Sequence, residues 1–297
     1  MKRRNFIKHS TYSATALLIL PQTGLWPTRA KKLERIGLTT VIFRNQFELT
    51  KPSNQELKNE LTLHEIPEYF ADRFGVHNVE IWTKHFETTS KPYLKDLKRA
   101  LKRNGSKLIN LQSEGKFDPS DIVEENRLKA IAEIKEWIDI AAFLESESVR
   151  IRTMHISYEK AGSSLKEIAK YAQTRGIGVL VENHNDLFSE TKNHLKIIND
   201  VSQTNLALLA DFGNLKPDIR YDALEKIAPY TKLISAKTKD FTDQMQHISF
   251  DFEKCIRIFE KAGYKGIYSC EQWGKADLSY NYEKITDWMI ERTVNNI

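Results

Sequence analysis

Four short apolar runs in this chain each end in an ionisable residue. Val179-Leu180-Val181 leads to Glu182, followed by Asn183 and His184. Leu208-Leu209-Ala210 leads to Asp211, with Gly213 and Asn214 just beyond. Ile234-Ser235-Ala236 leads to Lys237 and then Lys239, and Tyr268-Ser269-Cys270 leads to Glu271, with Trp273 close behind. A charge placed after an apolar run points into surroundings that disfavour it unless a metal, a cation or a proton compensates. Taken singly, Glu182 reads equally well as a salt-bridged structural acid. Taken together, Glu182, Asp211 and Glu271 form a convergent cluster, and three carboxylates cannot share a cavity fully ionised without positive charge. One divalent cation with oxygen ligands, Mn2+ or Mg2+ by hardness, would supply it.

The elements that must position these residues follow from periodicity. Runs that are apolar throughout recur at Arg35–Phe43, Asn78–Trp82, Lys107–Gln112, Ser148–Thr153, Gly178–His184, Leu206–Asn214, Lys232–Thr238 and Gly266–Glu271, as buried parallel strands do. Between them, Leu94–Arg103, Arg127–Leu144, Ser164–Thr174, Lys192–Val201, Asp222–Ala228, Phe252–Ala262 and Tyr282–Val294 carry apolar residues at helical spacing, several followed by a terminating glycine such as Gly105, Gly176 or Gly263. Eight strand–helix units in about 265 residues suit a single-domain α/β chain folded as a (β/α)8 TIM barrel. A doubly wound sheet is the alternative, but no G-x-G-x-x-G turn follows the first strand, so no nucleotide cofactor is expected. The stretch Asn45–Glu60 reads as a long polar loop. In a barrel the active site lies at the C-terminal ends of the strands, which is where the four ionisable residues stand.

The E-N-H at Glu182-Asn183-His184, the D-x-G-N at Asp211–Asn214, the Lys237-x-Lys239-Asp240 segment, and the A-G-Y-x-G leading to a strand that ends in Glu271 resemble the xylose-isomerase-like TIM barrels, the sugar phosphate isomerase/epimerase superfamily. Ser113-Glu114-Gly115 and the helix leading to the V-R-I strand fit the same pattern. The resemblance implies a cation held by Glu, Asp, His and Glu from strands five to eight, with the first and last Glu also acting as acid and base. Carried over, Glu182, Asp211 and Glu271 fill three places, and the chain departs at the fourth, where Lys237 replaces the His of the usual H-x-K-D. Lysine is a poor ligand for a hard cation. Either its ammonium replaces the metal, or a metal binds the three acids with His184 or water while Lys237 contacts substrate. A lysine snorkelling from the barrel mouth and a Schiff base are further readings. His184, His155, Asn183, Asn214, Lys239, Glu114, Arg152 and Trp273, with Trp82, are candidates to line a polar, partly aromatic sugar pocket. His85 and His247 read as surface residues.

Charge and leader bound the setting. Of 297 residues, 45 are Lys or Arg and 40 are Asp or Glu. The first thirty hold Lys2, Arg3, Arg4, Lys8 and Arg29 and no acid, so residues 31–297 are formally neutral and offer no basic surplus for nucleic acid. Met1–Ala30 has the charged start, apolar centre and small-residue end of a cleavable signal, too short for a comfortable membrane span, and Arg3-Arg4-Asn5-Phe6-Ile7-Lys8 resembles the twin-arginine export consensus. The expectation is a periplasmic protein without a stable membrane anchor, comprising leader 1–30 and barrel 31–297. The two cysteines, Cys255 and Cys270, read as buried and unpaired.

The expected activity is isomerisation or epimerisation of a sugar or keto-sugar: one glutamate abstracts the C–H beside a carbonyl and the other returns a proton. Loss of a leaving group after the same first step would make the protein a 3-keto-glycoside lyase or hydrolase acting by β-elimination. A non-catalytic sugar-binding barrel is the alternative outside enzymes. A two-carboxylate glycosidase and a multi-zinc endonuclease fit less well. The partner is a small-molecule carbohydrate, and a homodimer is the assembly that the resemblance implies.

Overall fold

The computed structural model describes residues 27–54, 56–57, 59–154, 157–184, 186–274 and 281–297. Eight strands, β1 (Ile36–Thr39), β2 (Asn78–Trp82), β3 (Lys107–Gln112), β4 (Ser148–Ile151), β5 (Gly178–Glu182), β6 (Leu206–Asp211), β7 (Thr231–Thr238) and β8 (Ile267–Gln272), pair in parallel and in sequence order, and β8 closes on β1. This is the (β/α)8 barrel expected from the eight runs. After α1 (Arg29–Leu33), the helices are α2 (Ile66–Phe74), α3 (Lys91–Arg103), α4 (Glu124–Leu144), α5 (Tyr158–Gln173), α6 (Thr191–Val201), α7 (Arg220–Ile227), α8 (Phe252–Lys261) and α9 (Tyr282–Asn296).

Side chains on a strand alternate between faces, which sorts the apolar residues into two sets. Val179, Val181, Leu208, Ala210, Ile234, Ala236, Tyr268 and Cys270 face outward into the large core shared with the helices. Ile109, Leu180, Leu209 and Leu233, with Ala207 and Ile267 against them, form a separate small cluster inside the barrel. Two or four residues further along the same strand faces come Glu182, Asp211, Lys237 and Glu271. The inner apolar cluster is therefore a floor, and the ionisable residues stand above it at the C-terminal mouth.

Two elements differ from the sequence expectation. The first strand is only four residues long, and Thr40–Gln46 form two short 3-10 turns on either side of a kink at Phe43, with the Thr39 hydroxyl accepting from the Val41 amide. Its apolar residues serve burial instead of pairing: Phe43 packs on Tyr69, Phe70 and Phe74 of α2. That helix is an addition to the predicted set, carried by Ile66, Phe70 and Phe74 at four-residue spacing, with Pro67 in its first turn and Gly75 ending it at φ 66°. Gly105, Gly176 and Gly263 likewise take the positive φ that ends a helix.

The expected leader lies outside the described residues through residue 26. Its last residues, 27–30, are described: Arg29 and Ala30 begin α1, and Arg29 is paired to Glu291 at 2.6 Å. Among the described residues no helix is long and apolar enough to cross a membrane.

Candidate active site

Strand register brings the charges together. On β7 and β8, Lys237 pairs with Glu271, and on β3 and β4, Gln112 pairs with Arg150. Lys237 Nζ lies 2.8 Å from Glu271 Oε1 and 3.0 Å from Asp211 Oδ2, and it donates to Asn214 Oδ1 at 3.3 Å. Asn214 Nδ2 in turn donates to Glu182 Oε1 at 3.0 Å, so a continuous chain runs Glu182–Asn214–Lys237–Glu271. All these side chains are buried.

One ammonium serves two carboxylates unequally. Burial by itself would raise Glu271, but Lys237, Arg150 and a 3.0 Å hydrogen bond from Gln112 Nε2 outweigh it and hold Glu271 below the usual carboxylate range. Asp211 is fully buried and also faces Glu182 and Glu271, so desolvation pushes it up despite its contact with Lys237. Burial likewise opposes the charge on Lys237, but Asp211, Glu271 and Glu182 prevail and keep the ammonium firmly protonated. Glu182 has a second cation: Arg150 Nε stands 3.1 Å from Oε2. That contact lacks hydrogen-bond alignment, so Glu182 Oε2 retains an unused acceptor position.

Above these groups opens a cavity of about 280 Å3. Its floor shows Glu182, Glu271, Lys237, Arg150 and Gln112, and its wall is built from Trp82, Glu114, Arg152, His184, Lys239 and Trp273. Trp82 meets Trp273 edge to face at 5.9 Å, and the Arg44 guanidinium lies 4.7 Å from the Trp273 ring. Trp82 Nε1 and Arg152 Nη2 donate to Glu114 at 2.8 and 2.7 Å, while Arg152 Nη1 meets His184 Nε2 at 3.2 Å. Burial, then Arg150, Arg152 and Lys237, push His184 down to about 4, leaving a neutral imidazole. A second cavity, of about 340 Å3, is lined by the floor residues Ile109, Leu180, Leu233 and Ile267 and lacks this convergence of charges.

Gly213 makes room for the lysines. A Cβ there would stand 3.0 Å from Lys237 Cδ and 3.3 Å from Lys239 Cε, so the D-x-G-N turn is a bed across which both stems lie. Asp211 Oδ1 accepts the Gly213 and Asn214 amides at 2.7 and 3.0 Å, fixing that turn.

The structure thus unites Glu182, Glu271, Lys237, Asn214, Lys239, Glu114, Arg152, His184 and Trp273 around one cavity, with Asp211 behind Lys237. Asn183 stands apart from its expected substrate role. Its amide spends both ends on the Asp211 main chain, donating to the carbonyl at 2.9 Å and accepting the N–H at 2.8 Å. His155 lies outside the described residues. His85 is not a surface residue: it is buried, stacked on Phe47 at 3.9 Å, with Nδ1 2.8 Å from Thr40 Oγ1. His247 is half-buried among Phe241, Phe250 and Trp288 and accepts the Lys239 amide.

The site residues that the sequence left unmarked are Arg150, Gln112 and Glu80. Each lies on the inward face of its strand, two residues along from another inward polar or aromatic side chain: Ser148, Asn110 and Trp82.

A divalent cation does not fit the donors present. Lys237 occupies the space between Asp211 and Glu271, Arg150 takes Glu182, and among the described residues no three His, Cys, Asp or Glu side chains stand together as a metal would need.

Comparison with known proteins bears on the whole barrel. The sequence profile of a family described as "Xylose isomerase-like TIM barrel" matches residues 69–292. Among solved structures, the chain resembles 3-keto-D-glucoside 4-epimerase from E. coli (TM-score 0.65, 14% identity, covering 86% of this chain and 98% of that one). It also resembles D-psicose 3-epimerase with D-tagatose from Clostridium cellulolyticum H10 (0.66, 15%, 88% and 96%). A third likeness is to a xylose isomerase-like TIM barrel protein from Mycobacterium smegmatis in complex with magnesium (0.64, 17%, 88% and 97%). At these identities the likeness establishes the fold. A search of curated proteins finds no match.

Proposed function

This chain belongs to the xylose isomerase-like TIM barrel family, and from that premise we propose that it is an exported sugar isomerase or epimerase, moving a proton beside a carbonyl of a sugar or keto-sugar. The observation that carries the reading is the position of the Lys237 ammonium, 2.8 Å from Glu271 and 3.0 Å from Asp211, on the floor of a cavity that Glu182 and Glu271 both line. Two of the solved structures it resembles are themselves named as sugar epimerases. A volume of about 280 Å3 is at the small end for ligand pockets and suits one sugar ring.

Abstracting a carbon-bound proton places negative charge on the adjacent carbonyl oxygen. Lys237 and Arg150 are fixed, buried cations on the cavity floor and stabilise that charge as it forms. Glu182, which lines the floor of the cavity, takes the proton. Glu271 begins as the weaker base because Lys237, Gln112 and Ser235 all donate to it. A substrate oxygen that draws the ammonium toward itself raises Glu271, which takes a proton from solvent and delivers it to the opposite face, while Glu182 returns the abstracted proton to solvent. On this reading Lys237 does the electrostatic work of a cation, and turnover needs no divalent metal.

The test is solvent exchange. Incubated in D2O with a 3-keto-glucoside and with a ketohexose, the metal-chelated protein should place deuterium at the carbon beside the carbonyl while releasing nothing. Release of the aglycone would make it a β-eliminating lyase, and saturable binding without exchange a sugar-binding barrel. Activity that requires a stoichiometric divalent ion, at a level matching a Lys237→His variant, would defeat the ammonium reading. Export rests on the Arg3-Arg4 leader, and Arg3→Lys with Arg4→Lys should retain the protein in the cytoplasm on fractionation.

A further inference from the structure

Four cations line the cavity, Arg150, Arg152, Lys237 and Lys239, and among the described residues three of them are ion-paired and one is not. Arg150 is taken by Glu182 at 3.1 Å and Lys237 by Glu271 at 2.8 Å. Arg152 is taken by Glu114 at 2.7 Å, and Lys84 leans on the same carboxylate at 3.3 Å. Lys239 lines the same wall, and among the described residues its ammonium has no carboxylate and no hydrogen-bond acceptor. Its backbone is nonetheless held at both ends: its N–H donates to His247 Nε2 at 3.2 Å, and its carbonyl accepts from Gln272 Nε2 at 3.2 Å. Its stem crosses Gly213, where a Cβ would stand 3.3 Å from Cε. Lys239 is therefore aimed into the cavity by a fixed backbone and a cleared path, with its charge unmet among the described residues.

The neighbouring imidazole is kept neutral first by its burial and then by the paired cations around it. His184 stands on the cavity wall with Arg150, Arg152 and Lys237 around it, and these cations help to hold it neutral. A positive potential in a buried cleft concentrates anions and disfavours neutral ligands that cannot use it.

We propose that the substrate is a sugar acid, a monosaccharide whose carboxylate is received by the ammonium of Lys239, which has no anionic partner among the described residues. Among the described residues the unmatched charge is single, which fits a carboxylate, whereas a phosphate dianion would call for a second free cation or a bed of backbone amides. The inference rests on the isomerase reading only for the identity of the ligand as a sugar, and it concerns binding, which can be measured without turnover.

The experiment is calorimetric titration of the full chain at low salt with D-glucuronate, D-galacturonate and D-mannuronate, each beside its neutral hexose, and with D-glucose 6-phosphate. At least one uronate should bind tenfold to a hundredfold more tightly than its neutral partner, as a charge-assisted contact in a partly buried site provides. Lys239→Met should abolish that preference, bringing the acid down to the affinity of its neutral partner in the same variant, and Lys239→Arg should retain it. Equal binding of acid and neutral sugar in every pair, a preference that survives in Lys239→Met, or tighter binding of the phosphate would each overturn the proposal. Failure of the isomerase reading looks different: the uronate preference and its dependence on Lys239 would persist, with no solvent deuterium entering any sugar.

Discussion

Lys237 and Glu271 are register partners on adjacent strands, and their side chains meet with Nζ 2.8 Å from Oε1, both almost wholly buried. A cross-strand pair in a barrel's interior cannot be relaxed by water, so each partner's charge depends on the other. The same ammonium also answers Asp211, which makes Lys237 the centre of the electrostatics of the mouth.

Removing that ammonium should cost more than a surface charge does. Lys237→Met leaves Asp211 and Glu271 buried without their cation, and the expected loss is about 3–5 kcal/mol near pH 8, the range for breaking one partner of a buried pair. Chemical denaturation measures it. The deficit should shrink at acid pH, where the stranded carboxylates take up protons, and a loss independent of pH would contradict this account.

The two glutamates should be separately indispensable. Glu182→Gln and Glu271→Gln preserve shape and remove the base, and each should slow solvent exchange by about 10²–10⁴-fold. Full activity in either variant would break the paired-base mechanism.

Beneath the cavity floor, Glu80 gives the fold a pH dependence of its own. It is entirely buried on β2 with Asn110 Nδ2 2.6 Å from Oε1 and Ser269 donating to Oε2, and burial pushes it up to about 7. The folded state then holds a proton that the unfolded chain releases near pH 4.3. Stability therefore falls as pH rises from about 4.3 to 7 and is level in this contribution beyond that, by an amount on the order of 3 kcal/mol. Glu80→Gln accepts from Asn110 and donates to Ser269 without titrating, so its melting temperature should fall less over that interval. Identical profiles for the two proteins would remove Glu80 as the cause.

Arg152 ties Glu114 to His184, and its loss should be visible on the imidazole. With one of three nearby cations gone in Arg152→Met, the His184 pKa should rise from about 4 while staying below the free value, because burial remains. An NMR titration of the ring follows it, and an unmoved pKa would show that the guanidinium exerts no field there.

At Gly213 the expected effect is steric. Gly213→Ala brings a methyl to 3.0 Å from Lys237 Cδ and 3.3 Å from Lys239 Cε, forcing both stems aside at a cost of about 1–3 kcal/mol. Sugar affinity should fall with stability, and unaltered binding would mean that the stems do not need that bed.

Much of this was legible because a buried parallel strand is apolar until it reaches the mouth. The runs before Glu182, Asp211, Lys237 and Glu271 announced both strand and site, and those four residues stand together as their positions at strand ends implied. Arg150 and Glu80 were harder to see, since each lies inside a run instead of at its end. Their signal was the two-residue alternation that puts Arg150 on the face of Ser148, and Glu80 on the face of Trp82. Asn183 shows the opposite error. In sequence it lies between the floor residue Glu182 and the wall residue His184, yet its side chain points back to brace the Asp211 backbone, a distinction set by local dihedrals and invisible in the letters.

Both thiols of the chain, Cys255 on the inner face of α8 and Cys270 on the outer face of β8, are buried and unbridged. No covalent bond therefore waits to be formed before this barrel is finished, and no oxidant is needed at any stage. The native fold can be completed under reducing conditions as well as oxidising ones, and its stability should be indifferent to added thiol reductant.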